Sequence, residues 1–462
     1  MTAPESRPLS RRLAEFAGAL RLADVPAHVR ERAKLHVLDA IGVGLASNAY
    51  AYARRAISGV EAMGASGACT VLGRRERFAV RDAALLNGIL VHGLDFDDTH
   101  LASIVHPTAT SLPCALSLAE SIDASGEEML AAYLAGAETA IRIGGAVKGA
   151  FHHVGFHATG IVAHFASAVA AGRLLHLGAD QIVAAQGIAG STASGIQVFL
   201  EEGAWTKRFH PGWAAVAGIT GARLAEHGFV GPSRPYEGKF GLFSTHLQDG
   251  ARHLDTAFIT NGLGERWHFA DTALKPYPVC HFLHGCADAA IQLQGEVAAD
   301  EIVAVQALLP EPTLHIVAEP AEVKERPTTE YEAKFSAQFV VANCLVKGRF
   351  GLADLTPEAL ADPRVRELAQ KVRCIADPET AFPTYFSGGV EVTLGNGRTV
   401  RHYVKINSGA GERALGQDAV AAKFMTTATM AVSSSRAENI RDAVLSLERI
   451  RVRELTALLG TT

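Results

Sequence analysis

The chain has 462 residues, 48% of them hydrophobic and 20% charged, with a formal net charge of -5. That composition belongs to a soluble globular protein with room for two or more cores, and it excludes an intrinsically disordered chain. No long basic run occurs, so nothing supports a nucleic-acid partner.

The opening stretch, MTAPESRPLSRRLAEF, is polar and lacks the apolar core of a signal peptide. No apolar run approaches the ~20 residues that span a bilayer. A cytoplasmic protein with no membrane partner is therefore expected. The short cluster Arg74, Arg75, Glu76 and Arg77 reads as solvated loop. The six cysteines form no CxxC pair, which argues against a disulfide framework, a zinc ribbon or an iron–sulfur centre.

In chain order, the first half reads as helix after helix. Leu9, Leu13, Phe16 and Leu20 recur at helical spacing, and Pro26 opens a second helix with Val29, Ala33, Val37 and Ile41 on one stripe. Segments 80–92, 125–145, 160–175, 179–190 and 213–227 repeat the pattern, with many Ala and Gly at contact positions that let helix axes approach closely. The character changes near residue 265. IVAVQALL at 302–309 and KVRCIADP at 371–378 alternate like strands, and 388–404 forms a hairpin candidate around Gly-Asn-Gly. Segments 279–296 and 330–346 read as helices, and helices return after about residue 408 in 418–432 and 438–459.

The predicted fold is mainly α with an inserted α+β domain. A helical bundle is built from both chain ends, 1–268 and 408–462, and a smaller α+β lid domain occupies 269–407. A cleft between such domains is a usual place for a small-molecule site.

The densest chemistry lies in HGLDFDDTHLASIVHP, residues 92–107. With 83–100 helical, Asp95 and Thr99 share a face while Asp98 points elsewhere. Pro107 is placed to begin the next helix, which puts His106 at a helix N-terminus. The dipole there disfavours imidazolium, leaving a neutral histidine able to exchange a proton near neutral pH. Two rival readings make Asp97, Asp98 and His100 exposed loop residues, or let Asp95, Asp97 and Asp98 hold magnesium through oxygen ligands.

HHVGFHATG at 152–160 places His157 and backbone amides at a helix start, an arrangement suited to an anion. EEGAWTKRFHPGWAA at 201–215 sets Lys207 and Arg208 before a His-Pro-Gly turn. They read either as a surface basic pair or as a carboxylate clamp with a compact charge and a bidentate fork. LKPYPVCHFLHGCADAA at 274–290 has two prolines fixing an extended approach to a helix bearing His284, and it adds Lys275, Cys280 and His284 as substrate-binding candidates. Nucleotide loops and the GxSxG elbow are absent. This inventory suits proton abstraction beside a carboxylate, with cations holding a di- or tricarboxylate.

HGLDFDDTHLASIVHP, GFHATGIVAHFASAVAAGRLLHL, WTKRFHPGWAA, KPYPVCHFLHGCADAA and YEAKFSAQF together resemble the MmgE/PrpD family, in the same order and over nearly the whole chain. That family includes 2-methylcitrate dehydratase, cis-aconitate decarboxylase and iminodisuccinate epimerase. The resemblance implies a homodimer that works without a metal, iron–sulfur cluster or other cofactor. It implies a site of Asp95, Thr99, His106, His157 and Lys207, and a dehydratase-like lyase, with epimerase or decarboxylase as alternatives. The decarboxylases carry a histidine where Cys280 stands and a tyrosine where Val323 stands ahead of Arg326-Pro327. Both departures point away from decarboxylation. A magnesium enzyme and a non-catalytic carboxylate-binding protein are the rival classes.

Overall fold

Small residues at helix crossings shape the first of two units. The computed structural model describes residues 7–64 and 66–460. It divides into one unit of 1–199, 204–272 and 416–462, and a second of 200–203 and 273–415. The chain is mainly α with a smaller α+β part.

In the first unit, helices Val80–Val91, Pro107–Ser121, Gly126–Ala146, Ala158–Leu174 and Thr206–Glu226 pack against one another. Their axes come close because glycine stands where they cross. A Cβ added to Gly88 would lie 2.4 Å from the Cα of Gly212, and one on Gly212 would lie 2.3 Å from the Leu85 carbonyl oxygen. Gly218 meets Ser167 in the same way. The Gln417–Ala428 helix, from the far end of the chain, packs on Ala27–Ser47, where Gly42 leaves room for Phe424 and Thr427.

A buried ion pair ties the 258–269 segment to this bundle. Arg142, fully buried, donates from Nε to Glu138 at 2.7 Å and from its other nitrogens to the carbonyls of Ile259, Asn261 and Arg266. Glu138 in turn accepts the backbone N–H groups of His268 and Phe269. Each buried charge is thus met by several partners, the condition under which such a pair is tolerated.

The second unit holds a four-stranded sheet in the order Val372–Ala376, Ile302–Leu309, Gly388–Leu394, Thr399–Val404. The first two strands are parallel and the other pairings antiparallel. Helices His284–Gln294 and Ala337–Lys347 pack on it, the former so closely that a Cβ on Gly285 would lie 2.4 Å from the Gly388 nitrogen.

Three helix expectations and one turn expectation are corrected. The helix placed over 83–100 ends at Val91, so Asp95 and Thr99 do not share a helical face. The reason is local: Asp95 adopts φ 53°, and Gly93 lies against Tyr52 where no Cβ fits. The His-Pro-Gly turn is instead inside the Thr206–Glu226 helix, where Pro211 forgoes one internal N–H···O bond without ending the helix. Segment 330–346 breaks at Ser336, whose hydroxyl caps the second helix by accepting from Phe339 N at 2.9 Å. Segment 438–459 breaks where Ile450 and Val452 hydrogen-bond the backbone of 124–126.

Gly212→Ala is expected to lower the unfolding free energy by about 1–3 kcal/mol in urea titrations, because its methyl meets backbone rather than a movable side chain. Gly18→Ala, in a helix with open space around it, serves as the control and should be neutral or stabilising.

Candidate active site

Three chain segments bring titratable groups together inside the first unit. The first is the turn after Val91, the second the start of the Ala158–Leu174 helix, and the third the first turn of the Thr206–Glu226 helix. The turn is buried throughout: Asp97, Asp98 and His100 are 0, 1 and 3% exposed. The reading of these three as solvated loop residues is therefore wrong. A buried turn must still satisfy its carbonyls, and here side chains do what a helix ladder would have done. Arg208 Nε donates to the Gly93 carbonyl at 2.6 Å, Lys423 Nζ to that of Phe96 at 2.8 Å, and His106 Nδ1 to that of Asp98 at 2.7 Å.

The carboxylates of the turn are matched one by one. Lys207 Nζ lies 2.7 Å from Asp95 Oδ1, with both side chains under 10% exposed. His92 Nδ1 donates to Asp97 Oδ2 at 2.7 Å, and His106 Nδ1 lies 3.4 Å from the same oxygen. Asp98 accepts from His36 Nδ1 at 2.6 Å and from both the backbone N–H and the hydroxyl of Thr108. The three carboxylates face three different partners, and Asp98 has donors on both oxygens, so its charge is met by protein groups.

These contacts fix tautomers. A carbonyl only accepts, so the proton of neutral His106 sits on Nδ1 and the lone pair on Nε2. His92 is fixed in the same sense by Asp97, and His36 by Arg32, which approaches its Nε2 at 3.3 Å. His106 is the N-cap of Pro107–Ser121, as the position of Pro107 predicts, and its backbone N–H donates to Thr159 Oγ1 at 3.2 Å. His157 is the N-cap of Ala158–Leu174.

The imidazoles form a nest. Ring centroids of His92 and His106 are 4.7 Å apart, those of His92 and His157 5.5 Å, and those of His157 and His210 5.3 Å. Burial pushes His92 and His210 down to about 4. Burial, reinforced by His210 and His92, holds His157 well below the ordinary histidine range. Burial alone would raise the Asp97 carboxyl, but His92 and His106 beside it hold it well below its usual value. The result is a buried carboxylate that accepts an N–H from His92 and lies against the His106 ring.

Of the residues expected at the site, Asp95, His106, His157 and Lys207 are thus linked through direct contacts and the imidazole nest. Thr99 lies on the same turn, 3% exposed, and its hydroxyl finds no hydrogen-bond partner among the described residues. Arg208 holds the Gly93 carbonyl through Nε and lies over the Tyr52 ring at 4.1 Å. Lys275, Cys280 and His284 belong to the second unit. There all three are buried, the Cys280 N–H donates to the Lys334 carbonyl, and His284 packs against His281 and Tyr277.

Sequence reasoning missed His36, His92, Thr108, Thr159 and His210 as members of this network. A histidine and an aspartate inside the apolar run LHVLDAIG were the available signal for His36. His92 and Asp97 are five apart on a non-helical turn, a spacing no periodic pattern marks. Potential ligand atoms also gather at His92, His106 and His157, at Asp95, Asp97 and His106, and at His100, His268 and Asp271.

Family models described as the MmgE/PrpD N-terminal and C-terminal domains match residues 11–254 and 277–449. "Cis-aconitate decarboxylase-like protein oryM" of Aspergillus oryzae (strain ATCC 42149 / RIB 40) is 29% identical, with 100% of this chain and 99% of that protein aligned. "Cis-aconitate decarboxylase" of Aspergillus terreus is 26% identical over 95% of this chain and 93% of its own. The Homo sapiens protein of that name is 27% identical over 93% and 89%.

The buried rings give the fold a defined acid sensitivity. His92 titrates near 4 when folded and near 6.5 when unfolded, so between those values the unfolded chain binds more protons. Stability therefore falls as pH drops through that window, by roughly 2 kcal/mol at pH 5 for each such ring. Melting temperatures measured from pH 7.5 to 5 should decline, with a smaller decline in His92→Gln once its neutral-pH stability is used as reference. A flat profile would contradict the assignment.

Proposed function

The chain belongs to the MmgE/PrpD family, and from that premise we propose that it is a cofactor-independent lyase. Its substrate is a small di- or tricarboxylate, from which it removes a proton next to a carboxylate and releases water. The observation that carries this reading is the His106 contact with the Asp98 carbonyl. It leaves a lone pair on Nε2, the atom a general base needs, in the same cluster as the Lys207–Asp95 pair.

Lys207 and the amide-rich start of the His157 helix bind substrate carboxylates. His106 Nε2 takes the proton from the carbon beside one of them. The electron pair left behind forms the carbon–carbon double bond as hydroxide departs from the neighbouring carbon. The His106 imidazolium returns its proton to that hydroxide, so water leaves and the base is restored. Asp97, 3.4 Å from His106 Nδ1, stabilises the imidazolium while it lasts. In this reading the protein works as a cytoplasmic homodimer.

A second reading, decarboxylation, is favoured by the printed names of the relatives. In it a carbon–carboxylate bond breaks, carbon dioxide leaves, and protonated His106 delivers its proton to the carbon. Cys280 and Val323 count against it.

Pure protein incubated with citrate, 2-methylcitrate, cis-aconitate and iminodisuccinate, with products followed by NMR, separates these readings. Alkene from a hydroxy acid supports dehydration, and carbon dioxide from cis-aconitate assigns decarboxylation instead. Turnover of none of them would favour a carboxylate-binding protein. His106→Ala should lower turnover by about 10²–10⁴-fold with an unchanged circular dichroism spectrum. Near-normal turnover in that variant would reject His106 as the base. Exhaustive chelation should leave the rate unchanged.

A further inference from the structure

His92 has no part in the proposed reaction, yet it is 1% exposed and stands at the centre of the imidazole nest. His92, His106 and His157 each bring a potential ligand nitrogen within 4.8 Å of the other two. His92 and His106 both donate from Nδ1, to the Asp97 carboxylate and to the Asp98 carbonyl, so both carry their lone pair on Nε2. The Nε2 of His92 finds no hydrogen-bond partner among the described residues. A neutral imidazole whose far N–H is fixed by a carboxylate or carbonyl is the arrangement that metal-ligating histidines adopt.

We propose that His92, His106 and His157 form a site for a divalent transition cation of the zinc type, and that the cation inhibits the enzyme reversibly by occupying the lone pair of the base. The inhibitory half rests on the assignment of His106 as that base; the binding half does not. Three imidazoles suit zinc or copper, whereas magnesium demands oxygen ligands. The neighbouring set of Asp95, Asp97 and His106 is the weaker choice, because Asp95 already holds the Lys207 ammonium at 2.7 Å. Zinc–nitrogen bonds of about 2.0–2.1 Å in a tetrahedral shell place nitrogens roughly 3.4 Å apart. The rings therefore need to close by at most about 1.4 Å on binding, and an anion or water takes the fourth position. Asp97 supplies a negative charge beside two of the three ligands, offsetting part of the cation's charge.

Chelator-treated protein is titrated with Zn²⁺ by calorimetry and with Cu²⁺ by electron paramagnetic resonance, which counts coordinated nitrogens in the wild type without any variant. The expected result is one strong site per chain with three nitrogens, lost turnover on loading, and recovery on adding chelator. His92→Phe should abolish strong binding, and Asp97→Asn should weaken it by about 10–100-fold. His268→Asn, which removes a ligand from the separate His100, His268 and Asp271 grouping, should leave the affinity unchanged. No binding at about a hundredfold metal excess, fewer than three nitrogens, or loss of the strong site in His268→Asn would overturn the site. Full turnover with metal bound would overturn the inhibition. If no substrate is turned over, the calorimetry and nitrogen count still decide whether the site exists.

Discussion

Burying the turn after Val91 takes three carboxylates out of water, and nearly everything distinctive about the first unit follows from having to match them. An unpaired carboxylate in such a place would either cost several kcal/mol or take up a proton. Here Asp95 meets Lys207, Asp97 meets His92 and His106, and Asp98 meets His36 and Thr108. Those five partners come from four stretches of the chain, at residues 36, 92, 106–108 and 207. Matching the charges is therefore the same act as gathering the site.

The constraint extends to the backbone. Arg208, Lys423 and His106 each donate to a carbonyl of the turn, so the turn keeps its shape only while three remote elements stay docked. Lys423 belongs to the returning C-terminal segment and also pairs with Asp39 at 2.7 Å, whose carboxyl burial raises to about 6. That explains a role for the far end of the chain near the site: it supplies a cation where the turn exposes a carbonyl oxygen inside the fold.

Much of this was legible in the sequence, for identifiable reasons. Periodicity marks the long helices because an apolar stripe is a local property, and Pro107 marks a helix start because its missing N–H is harmless there. Strands at 302–309 and 388–404 show themselves by alternation. The turn itself was misread as helix because no local pattern records that Gly93 must press against Tyr52 or that Asp95 takes a left-handed conformation. Asp97, Asp98 and His100 read as solvated because residue type predicts exposure only when no partner is known. The partners His36, Lys423 and Thr108 lie from 10 to 327 positions away. The roles of His92 and His210 depend on ring contacts that only the folded chain creates.

Proton abstraction beside a carboxylate asks for two things that oppose each other. A permanent cation must hold the substrate, yet a cation a few ångströms from an imidazole makes that imidazole a poorer base. The structure separates the demands with carboxylates. Asp95 lies directly on Lys207 and reduces the field that its ammonium projects toward the rings. Asp97 lies beside His106 and favours its protonated form once a proton has been taken. Meanwhile burial keeps His92, His157 and His210 neutral, so they add no standing positive charge to the nest. The aspartates that made the turn costly to bury thus also set the charge balance between the lysine and the rings. One arrangement accounts for the fold's buried charges and for the charge balance on which the proposed proton transfer rests.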